Sequence, residues 1–375
     1  MSTFVEQIKD ADASRWDGYV LEHPHATSYH LYGWRACLGE GLRHTSIYLR
    51  ARRAGKWVGV LPLVHLHRPL LGDLLVSLPF VNYGGILADD PSAAQALEDE
   101  AIRLARRLAV TELELRQTSA EMVTTLPAST HRVTLRLRLP SDEQALWKLM
   151  GTKLRNQARK AEKTGLRLQA HGMAGLDPFY QVFSQNMRDL GSPVWPRRFF
   201  ERILYQFPER ARLFVLSLQH FPAAAGFVFQ FKQTLEIPWA SALRSFNPVC
   251  ANVGLYHGIL SHAVREGYEQ FDFGRSAPDS GTWKFKKQWG AEESPLHWHR
   301  WQARANQNQS SGISPQLGKR PEAQATSTEG PSTHGRASSD GGLEARREQL
   351  EQAWQKLPVW ATRLVGPPLR RLLAQ

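Results

Sequence analysis

An α/β (α+β) fold made of two related halves is the class this sequence predicts, and three observations predict it. The order strand, strand, strand, helix, strand occurs between Ser46 and Gln117 and returns between Leu213 and Phe273. Both stretches alternate the period of two that marks half-buried strands with the wider spacing of an apolar helix face. No G-x-G-x-x-G turn joins a strand to a helix, which argues against a dinucleotide-binding sheet. A chain of 375 residues accommodates two such units, at a soft prior of about 150 residues per domain.

In the first copy, SIYLRA meets a turn at Ala54-Gly55, WVGVLPLVHL follows, and Asp73 to Leu78 supplies a third strand. Asp90-Pro91 opens a helix, because proline at the first helical position has no N–H to leave unpaired. TELELRQ then sets Leu113 and Leu115 against Glu112, Glu114 and Arg116. In the second copy, LFVLSL, AAGFVFQF and TLEIPWASAL read as consecutive strands, and a helix from Ala251 to Glu266 puts Val253, Tyr256, Ile259, Leu260, Ala263 and Val264 on one face. Gly267 closes it, and QFDFG resumes the strand pattern with Asp272 opposite Phe271 and Phe273.

Ser141 to Thr164 reads as helical, with Ser141 and Gln144 as a capping box and Gly151 as a break. The organisation expected is therefore residues 1–140 as the first half, 141–302 as the second, 303–342 as a disordered linker and 343–375 as a basic amphipathic segment. The linker assignment rests on its near lack of large apolar side chains. The last segment pairs apolar residues with Arg363, Arg370 and Arg371, so it is expected to dock on the body, on an assembly partner or on a membrane surface.

Composition narrows the function. A net charge of +12 points to anionic partners. Cys37 and Cys250 are too few for a disulfide framework. Neither a secretory signal nor an apolar run of the ~20 residues needed to span a bilayer is present, and a cytoplasmic location is expected. The pairs His23/His25, His65/His67 and His297/His299 lack the further ligands a zinc site needs, so no metal is expected.

Two segments carry the chemistry. In TKLRNQARKAEKTGLR, Arg155, Arg159 and Lys163 recur every four residues and Lys160 widens the stripe; like charges at that spacing destabilise a helix unless an anion offsets them. These four are candidate substrate-binding residues. In FDFGRSAPDSGTWKFKKQWG, Trp283, Phe285 and Trp289 would fix the lysines between them, and a fixed lysine stabilises an oxyanion or neutralises a phosphate. Arg275 and Lys287 of this segment are further substrate-binding candidates.

The D-F-G at 272–274, the following G-x-x-x-F-K-K-x-W-G at 281–290, and LRNQARKAEKTGL together resemble the FemAB family, most nearly the FemAB-related proteins found with exosortase (PEP-CTERM) and exopolysaccharide systems. The resemblance covers residues 25 to 300. It implies a tandem GNAT (acyl-CoA N-acyltransferase) fold and transfer of an acyl or aminoacyl group to an amine of a cell-envelope precursor. It also implies catalytic roles for Lys286, the first lysine of F-K-K, and Asp272. No tightly bound cofactor is implied; the cosubstrate would be an activated donor, aminoacyl-tRNA or acyl-CoA, and the acceptor phosphorylated or nucleotide-linked. The family's long helical arm and the GNAT signature Q/R-x-x-G-x-G/A are both missing, which leaves the donor open. The rival reading is a non-catalytic module that binds an anionic ligand within an exopolysaccharide assembly.

Overall fold

The computed structural model describes residues 2–69, 71–118, 125–303 and 340–373, with side chains for all of them except 340–347. The expected linker, 303–342, lies almost wholly outside the described residues. From the N-terminus the chain runs β1 (Phe4–Gln7), α1 (Ala13–Glu22), α2 (Trp34–Leu42), β2 (Thr45–Arg53), β3 (Lys56–Leu66), β4 (Leu74–Val76), β5 (Leu87–Ala88), α3 (Pro91–Arg107), β6 (Glu112–Gln117) and β7 (Ala128–Ser129). It continues through β8 (Val133–Arg138), α4 (Glu143–Leu149), α5 (Thr152–Lys163), β9 (Leu166–His171), α6 (Leu176–Asp189), α7 (Arg197–Gln206) and β10 (Ala211–Leu218). The remainder is β11 (Phe221–Phe231), β12 (Thr234–Ala242), α8 (Ala251–Arg265), β13 (Gln270–Ser276), α9 (Gly281–Lys287), β14 (Glu292–Pro295), β15 (His297–Gln302), α10 (Asp340–Gln355) and α11 (Val359–Leu372).

Local chemistry accounts for the helix starts. Asp90 caps α3 by accepting a hydrogen bond from the Ala93 N–H, with Pro91 at the first helical position. Its inner stripe, Ala94, Leu97, Ala101 and Leu104, is buried against the first sheet, each leucine contributing roughly 1.5–3 kcal/mol. The expected cap at Ser141 moves by one residue: Asp142 accepts from the Ala145 N–H, and Ser141 donates to the Asp142 carboxylate instead. A carboxylate is the stronger acceptor for a helix N-terminus, which carries positive partial charge. Gly151 separates α4 from α5 as the sequence indicates.

Two sheets result. Among the described residues, the first has eight strands along the path β1-β2-β3-β4-β6-β15-β7, with β5 beside β3; the second has seven in the order β14-β8-β13-β12-β11-β10-β9. Their membership does not follow the chain. β8, inside the expected first half, pairs with β13 and β14 of the second sheet. β15, inside the expected second half, crosses back to pair with β6. The halves are thus laced together by an exchange of strands, and one hydrophobic core runs through both: Trp34 packs on Phe207 and Phe229 with ring centroids 5.6 and 5.7 Å apart.

In the second sheet, β12 and β13 are parallel and share only the rungs Thr234/Gln270, Leu235/Phe271 and Glu236/Asp272. Beyond the last rung both strands continue without pairing to one another. The C-terminal segment docks on the body through α11: Thr362 and Gly366 face inward, Arg363 Nε donates to Ser184 Oγ, and the Arg370 guanidinium lies 3.5 Å from the Trp195 ring centroid. No described helix is long and apolar enough to cross a membrane.

Candidate active site

The last shared rung of β12 and β13 puts two carboxylates side by side in the interior. Glu236 and Asp272 are 5% and 3% exposed, and buried carboxylates persist only when hydrogen-bonded or neutralised. Each is satisfied differently. Glu236 accepts from Tyr29 Oη at 2.5 Å, Asn82 Nδ2 at 2.7 Å and Ser28 Oγ at 3.3 Å, all three supplied by the first half. Asp272 accepts from Arg136 Nε at 2.9 Å, Tyr83 Oη at 2.9 Å, Thr134 Oγ1 at 3.1 Å and the Gly274 N–H at 2.7 Å. Tyr83 and Thr134 are also hydrogen-bonded to each other.

The D-F-G glycine has a geometric reason. β13 bulges between Asp272 and Arg275, and Gly274 turns through a left-handed φ of 72°, the conformation glycine adopts without penalty. A Cβ there would sit 2.7 Å from Asn82 Nδ2, the group that bonds Glu236. The bulge also presents two carbonyls, and Lys286 Nζ donates to both, at 3.0 Å to Gly274 O and 2.9 Å to Arg275 O. Ser280 holds α9 in place for this by capping it at the Trp283 N–H.

Electrostatics separate the roles. Burial, reinforced by the Asp272 charge, pushes the Glu236 carboxyl up to about 8. Burial pushes the Lys286 ammonium down to about 8, against the opposing pull of Asp272. Arg136, despite burial, is held charged by Asp272. A carboxyl and an amine that both titrate near neutrality, on adjoining elements, form the pattern expected of acid–base chemistry. A cavity of about 300 Å³ opens against the carboxylates and is lined by Ser28, Tyr83, Arg136, Lys232, Glu236 and Asp272 among others. Lys286 stands behind its wall, beside the stretch of β13 that no longer pairs with β12.

Of the residues singled out from sequence, Asp272, Arg275 and Lys286 are brought together here. The others are not. Arg155, Arg159, Lys160 and Lys163 lie on the outer side of α5, whose buried residues are Leu154, Ala158 and Ala161, and Arg159 stacks 5.0 Å from the Trp147 ring centroid. None of the four lines this cavity. Lys287 is exposed, its Nζ 5.8 Å from the Trp283 ring centroid. The sequence reading missed Glu236, Tyr29, Asn82, Tyr83 and Arg136. A lone glutamate inside the apolar run of TLEIPWASAL was the available signal for the first. His65 and His67 both bond the Asp73 carboxylate, and among the described residues no group of three or more His, Cys, Asp or Glu could hold a metal ion.

Comparison with known proteins bears on the fold. Residues 150–287, which include Glu236, Asp272 and Lys286, match the family described as an acetyltransferase (GNAT) domain. No curated protein sequence matches the chain. Among solved structures, FemX superposes with a TM-score of 0.61 at 15% identity, covering 79% of this chain and 97% of its own. The C-terminal domain of a putative lysylphosphatidylglycerol synthetase from Agrobacterium fabrum does so at 0.54 and 14%, covering 77% and 90%. A conserved protein of unknown function from Bacteroides thetaiotaomicron gives 0.55 at 10%, covering 80% and 100%. At such identities the likeness speaks for the fold, and the chain has the two-sheet α/β GNAT-like fold that its motifs led us to expect.

Proposed function

We propose that this protein is an N-acyltransferase that moves an acyl or aminoacyl group from an activated ester or thioester to the amine of a cell-envelope or exopolysaccharide precursor. The observation that carries the reading is the Glu236/Asp272 rung, where two buried carboxylates meet at the point at which parallel strands part, with Lys286 beside them. The facing edges of β12 and β13 beyond that rung have no strand between them, an opening that suits an extended donor. The acceptor amine enters from the 300 Å³ cavity.

An amine attacks only when neutral. Glu236, raised to about 8, is the base that takes the ammonium proton near neutral pH, and Asp272, locked by Arg136 and Tyr83, positions the rung. The amine nitrogen then bonds to the donor carbonyl carbon as the carbonyl electron pair moves to oxygen. Two of the three Lys286 N–H groups are bound to carbonyls, leaving the third and the charge for the developing oxyanion. Collapse re-forms the carbonyl and expels the alcohol or thiol, which takes its proton from Glu236, while the nitrogen releases its second surplus proton to solvent and becomes the neutral amide. No covalent enzyme intermediate is needed, and orientation in the cleft supplies much of the acceleration.

Purified protein incubated with acyl-CoA or aminoacyl donors and amine acceptors, followed by mass spectrometry, tests the reading: a new amide supports it. Tight binding of donor and acceptor without product would overturn it. Lys286→Ala is expected to lower kcat and kcat/KM together by roughly 100-fold, the loss seen when an oxyanion donor is removed, in a protein that still folds. Lys287→Ala, on the exposed side of α9, is the matched control and should leave both constants unaltered. If Lys286→Ala instead lowers the unfolding midpoint and leaves kcat intact, the lysine serves only to pin the bulge. Because catalysis needs Glu236 ionised and Lys286 protonated, kcat/KM should pass through a narrow maximum near pH 8.

A further inference from the structure

The face of the first sheet opposite α3 is polar where β4, β6 and β15 meet. There Glu112, Glu114 and Arg116 of β6 and Trp298 and Arg300 of β15 point the same way, because alternate residues of a strand share a face. The end of α11 closes over them, enclosing about 540 Å³ between the sheet and Arg370, Leu372 and Leu373. Five arginines, Arg68, Arg116, Arg132, Arg300 and Arg370, line this cavity against two acids, Glu112 and Glu114.

The acids are already engaged. Glu114 accepts from Arg116 Nε at 2.8 Å and from Arg300 Nη2 at 2.8 Å, and Glu112 lies 3.4 Å from Arg300. No carboxylate pairs with Arg132 or Arg275 among the described residues. Arg275 stacks on Trp298, which lines the cavity: its guanidinium lies 5.1 Å from that ring centroid while Arg116 lies 4.4 Å from it. Arg275 Nη1 is enclosed and has no hydrogen-bond partner. Burial and the charges of Arg116 and Arg132 push this guanidinium down to about 9, against the opposing pull of Glu114. Enclosed cations in excess of their counter-charges are costly, and planar guanidinium forks match phosphate oxygens in pairs.

We propose that the cavity between the β4–β6–β15 face and α11 is an anion site that takes a phosphate or diphosphate group. Leu74 and Val76 on one side and Leu372 and Leu373 on the other give it apolar walls, so the group it takes is the charged end of a ligand with an apolar portion. Arg370 comes from α11, beyond the matched GNAT domain. The C-terminal helix thereby becomes part of a binding site, and Arg275 joins that site to the proposed reaction centre, since its carbonyl accepts from Lys286. The site itself does not depend on the acyl-transfer reading.

Calorimetric titration of the full chain with inorganic pyrophosphate tests this without any turnover. Saturable binding is expected, weakened on the order of ten-fold or more by Arg132→Gln and by Arg275→Gln, the contribution of one charge-assisted hydrogen bond. Lys160→Ala and Lys163→Ala on the outer side of α5 should not alter it. Arg132→Gln, only half-buried, keeps the test alive should Arg275→Gln fail to fold. Flotation with phosphatidylcholine vesicles, with and without phosphatidic acid, separates the two sources of such a phosphate. Pyrophosphate binding without flotation indicates a free phosphorylated ligand; flotation that requires phosphatidic acid and Arg132 indicates a lipid headgroup. Either outcome supports the site. Absence of both, or binding indifferent to Arg132 and Arg275 but lost with the α5 lysines, overturns it.

Discussion

Glu236→Gln is expected to reduce kcat/KM at pH 8 by on the order of 100- to 10,000-fold, the range for loss of a general base, while the protein becomes more stable at high pH. The fold should tolerate the change. The amide oxygen still accepts from Tyr29 and Asn82, and the Ser28 hydroxyl can turn to accept from the new N–H. The stability gain follows from linkage. The Glu236 carboxyl ionises near 8 in the folded chain, against an ordinary value of 4.5, so between those values the folded state holds a proton that the unfolded chain has released. Stability is greatest below the lower value and falls as pH rises towards the upper one, by at most ~1.4 kcal/mol per pH unit. Glutamine cannot ionise, and its unfolding free energy should lack that fall. Urea titrations of both proteins at pH 5, 7 and 9 measure the difference. Curves that stay parallel would mean that Glu236 is ionised throughout and is not a base of the proposed kind.

The largest stability effect is expected at Asp272. Asp272→Ala should lower the unfolding free energy by about 3–5 kcal/mol, because it strips a buried ion pair of one partner. Arg136 would lose its counter-charge, and Tyr83 and Thr134 would lose the acceptor their hydroxyls share. These donors come from a loop of the first half and from β8, so the seam between the halves is what loosens. Asp272→Asn keeps the hydroxyl bonds and gives up only the charge, and should cost less than half as much. It carries a second signature: Asp272 is the charge that helps raise Glu236, so removing that charge lets the Glu236 carboxyl fall back, and the acid limb of the kcat/KM profile should move to lower pH. An unmoved limb would separate the two carboxylates electrostatically and remove the basis for treating the rung as a unit.

Periodicity and turn chemistry act over a few residues, and what depends on them was legible in the sequence. The Asp90-Pro91 start, the break at Gly151, the Gly267 stop and the three strands that precede each crossover helix follow from caps, backbone freedom and alternation. So did the position of Asp272 opposite Phe271 and Phe273. The same alternation was read too simply in TELELRQ. Its charged face looked outward by composition, yet Glu114 and Arg116 are 6% and 1% exposed, since β15 and α11 arrive from distant parts of the chain to cover and neutralise them. Sheet membership was beyond sequence reading for the same reason. Nothing local in Val133–Arg138 or His297–Gln302 says which sheet each strand joins, because that is settled by the edges left free when the halves pack. Glu236 is the sharpest case. A glutamate in an apolar strand is a chemical liability until Tyr29, Asn82 and Ser28, some 150 to 200 residues earlier in the chain, are brought against it. The sequence by itself determined the strands and helix of the two repeated stretches and singled out the D-F-G turn and Lys286. Only the tertiary structure decided which carboxylates and cations share a low-dielectric interior, because the energy of a buried charge depends on the few ångströms around it and not on its neighbours in the chain.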